Sequence, residues 1–342
     1  MADQSNYGDE PLTTLRVTGD SVLRDRKVAD VGGQLLDRGI QHQHRGELES
    51  AILVLKQALD LFIQRKQVRN QVKALYYIGL TYYSDGKYDA AQQAAEAGLE
   101  AVSDLDDPRL MAQVLSLLGN TYRHQDRYDR ALEVQQRGLK LFLNLKDRAG
   151  AMALLNNLGL THKAQGNHRN AITCQKQALT FAEALGDETT IAQILKNLGN
   201  ACYSLGQYGE AITYYERRLQ MATAKQEHRI VLQVLRNLGN TAYTVGDYEK
   251  AIAYSHQRLQ LAQDQEDFRA HEQALSSLGV AYEALGDYEN AILYYEERLI
   301  LARQNSDRRI EQQALSSLRT TCYAMGDYGR LMKYQSGEVT GF

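Results

Sequence analysis

Histidine, cysteine and paired carboxylates are the side chains from which a metal or catalytic site would be built, so their spacing comes first. His42 and His44 stand two residues apart in a stretch of helical character. Side chains at i and i+2 of a helix point away from each other, which makes them a poor metal pair. The phrase "HEQAL" from His271 has one histidine of a zinc-hydrolase motif and lacks the second, one helical turn further on. Cys174, Cys202 and Cys322 are an odd number without metal-binding spacing, as suits a reducing compartment. Neither a G-x-x-x-x-G-K-[ST] phosphate loop nor a G-x-S-x-G nucleophile elbow is present. The expectation is a non-enzymatic chain with no catalytic residue, no metal and no cofactor.

The glycines fall on a different pattern. "NLGNACYSLGQYGEAITYYERRL" from Asn197 returns as "NLGNTAYTVGDYEKAIAYSHQRL" from Asn237, forty residues on. The same step links Gly39, Gly79, Gly119, Gly159, Gly199, Gly239 and Gly279, and fails at Arg319. Four residues before each of these landmarks is a leucine, from Leu35 to Leu315. Seven residues after stands a second glycine (Gly46, Gly86, Gly166, Gly206, Gly246, Gly286, Gly326), with Asp126 the one substitute. Twelve after stand Ala51, Ala91, Ala131, Ala171, Ala211, Ala251 and Ala291, then Leu331. Columns in such register describe an array of eight units.

Within a unit the apolar residues recur at helical spacing, as at Leu232, Leu235, Leu238, Ala242 and Val245. Each unit therefore reads as helix A, a tight turn whose glycine takes a left-handed conformation, and helix B. Asp107, Asp147, Asp187, Glu227, Asp267 and Asp307 mark the starts of A helices, where a carboxylate can accept otherwise unpaired main-chain N–H groups. Pro108 fits the first helical position. The tyrosines after the turn (Tyr88, Tyr128, Tyr208, Tyr248, Tyr288, Tyr328) are expected to pack across it. In the eighth unit Arg319 and Leu331 replace the small residues, which predicts a capping unit.

Composition agrees. Only two prolines leave room for long helices, and 44% apolar residues suffice for a continuous core. A formal charge of −3 argues against a general nucleic-acid binder. No apolar run is long enough to span a bilayer, and no signal-peptide apolar region opens the chain, so the cytoplasm is the expected compartment.

These columns resemble the tetratricopeptide repeat: a large residue, here leucine, then Leu-Gly, a tyrosine three further on (Tyr82, Tyr122, Tyr282), and alanine in helix B. The forty-residue period and the "NLGN" phrase are similar to the Pins-type adaptor branch. The resemblance implies an all-α fold, a right-handed superhelical solenoid of eight repeats with helix A lining a concave groove. It would cover 27–336, between an N-terminal segment 1–26, expected to be partly disordered, and a tail 337–342.

By the family's geometry, the groove-facing columns lie at −6, −3, +1, +4 and +5 from the landmark glycine. They supply Lys73, Tyr76, Tyr83, Asn120, Arg123, Asn156, Lys163, Lys196, Asn200, Tyr203, Arg236, Asn240 and Tyr243 as the candidate partner-binding residues. Five cations stand there against one acid, Glu283, in a chain of net negative charge. The resemblance implies an adaptor that threads an acidic peptide segment of a partner protein. A self-associating scaffold or assembly chaperone is the alternative. A single-strand nucleic-acid binder stacking bases on the tyrosines is disfavoured by the acidic balance. The sequence leaves the oligomeric state open.

Overall fold

The computed structural model describes residues 31–103 and 105–336; the segment 1–26, the start of the array at 27 and the tail 337–342 fall outside these residues. Sixteen α-helices and no strand occur among the described residues. In order they are α1 (Val31–His44), α2 (Leu48–Gln64), α3 (Val68–Ser84), α4 (Tyr88–Ser103), α5 (Pro108–His124), α6 (Tyr128–Asn144), α7 (Arg148–Ala164) and α8 (His168–Leu185). Then come α9 (Glu188–Ser204), α10 (Tyr208–Ala224), α11 (His228–Val245), α12 (Tyr248–Asp264), α13 (Phe268–Leu285), α14 (Tyr288–Gln304), α15 (Arg308–Met325) and α16 (Tyr328–Ser336). Odd-numbered helices are the A helices of the repeat and even-numbered ones the B helices. The fold is an all-α solenoid of helix pairs. It divides into two compact units, one ending at Asn197 and one beginning at Leu198, the division falling within α9.

The helix starts follow the carboxylates. Asp107, Asp147, Asp187, Asp267 and Asp307 each accept from the main-chain N–H three residues on, at 2.9–3.1 Å. Such a cap stabilises a helix by about 1 kcal/mol. Glu227 departs from the expectation: it occupies the cap position of α11 but its side chain makes no capping bond. The carboxylate of glutamate lies one methylene further from the backbone than that of aspartate. A second series of caps, at the B helices, comes from Asn167, Asp247, Asp287 and Asp327.

Every A–B turn glycine of the expected column has positive φ, from 71° to 88°, and Asp126 takes the same conformation at 58°. The turn closes by paired bonds, Gly246 N–H to Tyr243 O and Asp247 N–H to Ala242 O, which satisfy the last carbonyls of the helix. The B–A turns repeat this device, in all but one case without glycine. Lys66, Lys146, Gln226, Glu266 and Ser306 all have φ of 52–57°, and only Gly186 among these turns is a glycine. From Asp126 to Gly326 the left-handed residue recurs every twentieth position. The series is interrupted before Asp126, where Pro108 opens α5.

The alanine column is fully packed: Ala51, Ala91, Ala131, Ala171, Ala211, Ala251 and Ala291 are all buried. Leu115, Leu195 and Leu275 of the leucine column have no exposed surface, each contributing about 2 kcal/mol by burial. Odd helices also touch their next odd neighbours: α1 with α3, α3 with α5 and α5 with α7 in the first unit, and α11 with α13 in the second. The A helices α1, α3, α5 and α7 thus form a contiguous layer in the first unit, and α11 and α13 lie side by side in the second. The expected tyrosine packing is present at four of the A–B turns, where Tyr88, Tyr208, Tyr248 and Tyr328 lie 5.4–6.3 Å, ring to ring, from Tyr83, Tyr203, Tyr243 and Tyr323. Tyr128 and Tyr288 follow Arg123 and Glu283 instead of a tyrosine, and the Tyr128 hydroxyl donates to Asp126 at 2.5 Å. The last helix, α16, has only nine residues, and Arg319 turns its Nε back onto the Leu315 carbonyl at 3.0 Å.

Candidate functional site

In the first unit the candidate residues come from α3, α5, α7 and the start of α9. Lys73, Tyr76 and Tyr83 are half-buried on α3, and Tyr76 meets Tyr77 edge to face at 5.3 Å. Arg123 on α5 reaches back to Tyr83, its Nη2 donating to the hydroxyl at 3.4 Å, so the fold brings these two together. His124 stacks on Tyr88 at 4.7 Å beside them. Asn120 and Asn156 are buried: Asn120 accepts from Gln135 Nε2 at 3.3 Å, and Asn156 accepts from Gln175 Nε2 at 3.0 Å. Lys163 and Lys196 are half-buried.

In the second unit Asn200 accepts from the Tyr215 hydroxyl at 2.7 Å. Tyr203 is exposed, its hydroxyl 3.2 Å from that of Thr244. Arg236, Asn240 and Tyr243 of α11 are all exposed. Glu283, the single acid of these columns, accepts from the Tyr295 hydroxyl at 2.9 Å and from Thr321 Oγ1. Burial, then Glu283, push the Tyr295 hydroxyl far above its ordinary pKa, so it stays a donor.

The landmark glycines have partners that sequence reading did not find. A Cβ on Gly119 or Gly159 would run into Gln135 at 2.4 Å or Gln175 at 2.5 Å; on Gly199 or Gly279 it would meet Tyr215 at 2.4 Å or Tyr295 at 2.3 Å. Each partner lies sixteen residues on, in helix B. Its side chain passes over the glycine and hydrogen-bonds beyond it: Gln135 to Asn120, Gln175 to Asn156, Tyr215 to Asn200, Tyr295 to Glu283. The glycines make room for helix-B side chains that tether the candidate residues of helix A.

A second unforeseen column is basic. Arg218, Arg258 and Arg298 of α10, α12 and α14 are buried, with 8%, 5% and 7% exposure. Arg298 binds Glu272 through Nε at 3.0 Å and Nη2 at 2.9 Å, and Nη2 also reaches Gln313. Arg258 donates from Nη2 to Gln273 at 2.7 Å, and its Nε has no hydrogen-bond partner. Burial, then the like charge of Arg236, push the Arg258 guanidinium down to about 10. Gln273 and Gln313, both at −6, thus serve as acceptors for buried arginines of the preceding repeat. Among the described residues no three His, Cys, Asp or Glu side chains group to hold a metal ion.

Two sequence profiles described as Tetratricopeptide repeat match the chain, one at 110–184, 150–224, 190–264 and 230–304, the other at 76–142. This chain is a tetratricopeptide repeat protein. The profiles identify the repeat and do not single out a Pins-type branch. No significant match appears among curated protein sequences. Solved structures similar to this tetratricopeptide array include a Signal Transduction ATPase with Numerous Domains, with a tetratricopeptide repeat sensor, from Pyrococcus horikoshii. It is 17% identical with a TM-score of 0.63, and the match covers 90% of this chain but only 46% of the ATPase. The C-terminal part of a repeat-containing protein from Cytophaga hutchinsonii is similar at 16% identity and TM-score 0.61, over 83% of this chain and 99% of that one. RapI in its apo form is similar at 14% identity and TM-score 0.57, over 80% and 98%. At these identities the likeness is one of fold. Tetratricopeptide repeats are protein-interaction modules, and among the described residues no helix is long and apolar enough to cross a membrane.

Proposed function

We propose that this chain is a non-enzymatic adaptor that binds an acidic segment of a partner protein along its A helices. The supporting observation is the charge of that face. In the first unit the candidate columns hold Lys73, Arg123, Lys163 and Lys196 and no acid; in the second they hold Arg236 and Glu283, the latter engaged by the Tyr295 and Thr321 hydroxyls. The columns of the first unit are thus cationic in a chain whose net charge is −3. Arginine and lysine would meet the carboxylates of the segment.

The test compares the parent with Arg123→Glu/Lys163→Glu, using partners recovered by pull-down and mass spectrometry and then the acidic segments mapped from them. The reading expects affinity to fall as salt rises, because exposed charges are screened over about 8 Å at physiological ionic strength. It also expects the double variant to lose binding with helicity unchanged. Arg137→Glu/Lys140→Glu, an exposed pair on α6, is the control. If it weakens the partner equally, the A-helix reading is wrong. Self-association in light scattering without added ligand would favour a structural scaffold instead.

A further inference from the structure

The helix-B column that covers the landmark glycines reads Tyr215, Ser255, Tyr295 through the second unit. Over Gly199 and Gly279 the tyrosine rings fill the space. Over Gly239 no ring intrudes: a Cβ there would meet the Ser255 hydroxyl at 3.4 Å, the Ala251 carbonyl at 3.7 Å and the Tyr254 Cβ at 3.9 Å, all at ordinary contact distance. A cavity of about 360 Å³ opens at that point, lined from α11, α12, α13 and α14. This lies within the size range of small-ligand pockets, about 300–1,000 Å³.

The charges around it do not balance. Arg236, Arg258 and Arg298 line the cavity with one acid, Glu272, and Glu272 is held by Arg298 at 2.9 Å. Arg258 is more than nine-tenths buried, has no ion pair among the described residues, and leaves its Nε without an acceptor. Buried charges in proteins are ordinarily paired, because removing an ion from water costs several kcal/mol. An anion placed here would offset both the burial of Arg258 and its repulsion from Arg236.

We infer that this cavity is a carboxylate pocket, entered past the exposed Arg236 and closed at its base by Arg258. The planar fork of a guanidinium matches the two oxygens of a carboxylate. Of the lining residues only Ala251 belongs to the first turn of a helix, and its N–H is bonded to the Asp247 carbonyl at 3.0 Å, so no cluster of free main-chain N–H groups is there to favour phosphate. The carboxylate is either a free small dicarboxylate or an acidic side chain of a bound segment; only the second source rests on the adaptor reading.

The test is calorimetric titration of the full chain with glutarate and, separately, with the peptide acetyl-Ala-Glu-Ala-Glu-Ala-amide. The variants are Ser255→Tyr, which installs the side chain of the flanking repeats, and Arg258→Gln, which keeps a donor for Gln273 and removes the charge. Circular dichroism monitors folding, and either variant suffices if the other fails to fold. The expected result is saturable binding of at least one probe to the parent, weakened about tenfold or more in the variants by loss of the charge-assisted bonds. Glutarate binding identifies a free small molecule as ligand, and binding of the peptide alone identifies an acidic side chain. The inference is overturned if neither probe binds the parent, or if folded variants keep its affinity. A peptide bound equally by parent and Ser255→Tyr, but lost in Arg123→Glu/Lys163→Glu, removes the pocket and leaves the adaptor reading intact.

Discussion

The Tyr215 ring occupies the place a side chain at Gly199 would take: a Cβ built on that glycine comes within 2.4 Å of the ring. The ring is buried and hydrogen-bonded to Asn200, so it has nowhere to retreat. Gly199→Ala should therefore destabilise the protein by about 1–3 kcal/mol through overpacking. Gly239→Ala, whose Cβ would meet nothing nearer than the Ser255 hydroxyl at 3.4 Å, should be neutral or gain up to about 1 kcal/mol from helix propensity. Chemical denaturation of the two variants checks the contrast; equal effects would refute this account of the glycine column.

The left-handed turns make a prediction of opposite sign. Gln226 and Glu266 hold φ of 55° and 52°, where a Cβ costs about 1–2 kcal/mol that glycine avoids. Part of that gain is returned as the greater freedom of glycine in the unfolded chain. Gln226→Gly and Glu266→Gly should each raise the denaturation midpoint, and Gly246→Gln, at φ 88°, should lower it.

Two arginines in equivalent positions should respond differently to removal of charge. Arg298→Met would strand the buried Glu272 carboxylate and should cost about 3–5 kcal/mol. Arg258→Met removes a buried cation without an ion pair, and should leave the melting temperature of the unliganded protein unchanged or higher. Thermal melts of both variants, without added anions, test the comparison.

Acid should loosen the array through its histidines. Burial pushes His162, His256 and His271 below their ordinary value, so the unfolded chain takes up their protons first as pH falls. Their contribution is fully present above the unfolded value of 6.5 and is lost as pH drops through the lower folded values. The melting temperature should fall between about pH 7 and pH 5, and less steeply in a triple His→Gln variant.

Much of the scaffold was legible because it is repeated in residue type. Gly206 and Ala211 recur by identity, and Asp147 caps wherever its column keeps aspartate. The fillers of the glycine gaps were not, because their column reads Leu55, Ala95, Gln135, Gln175, Tyr215, Ser255, Tyr295 and looks unconstrained. Arg218, Arg258 and Arg298 looked solvated in "ERRL", "HQRL" and "EERL", since adjacent charges suggest a surface; burial comes from the helix they face. Among the candidate residues, Asn120, Asn156 and Asn200 bond to helix-B side chains, while Arg236, Asn240 and Tyr243 are exposed. Spacing alone could not separate the two groups.

The backbone of this chain turns over every twenty residues, but its side chains do so only every forty. A spliced-out half period would leave the main chain a passable path while setting alanine-bearing helices where glycine-bearing ones belong. Gene-level changes of length should therefore survive in whole forty-residue steps, joined at any pair of equivalent turns, whereas twenty-residue steps should yield chains that are helical and yet fail to assemble.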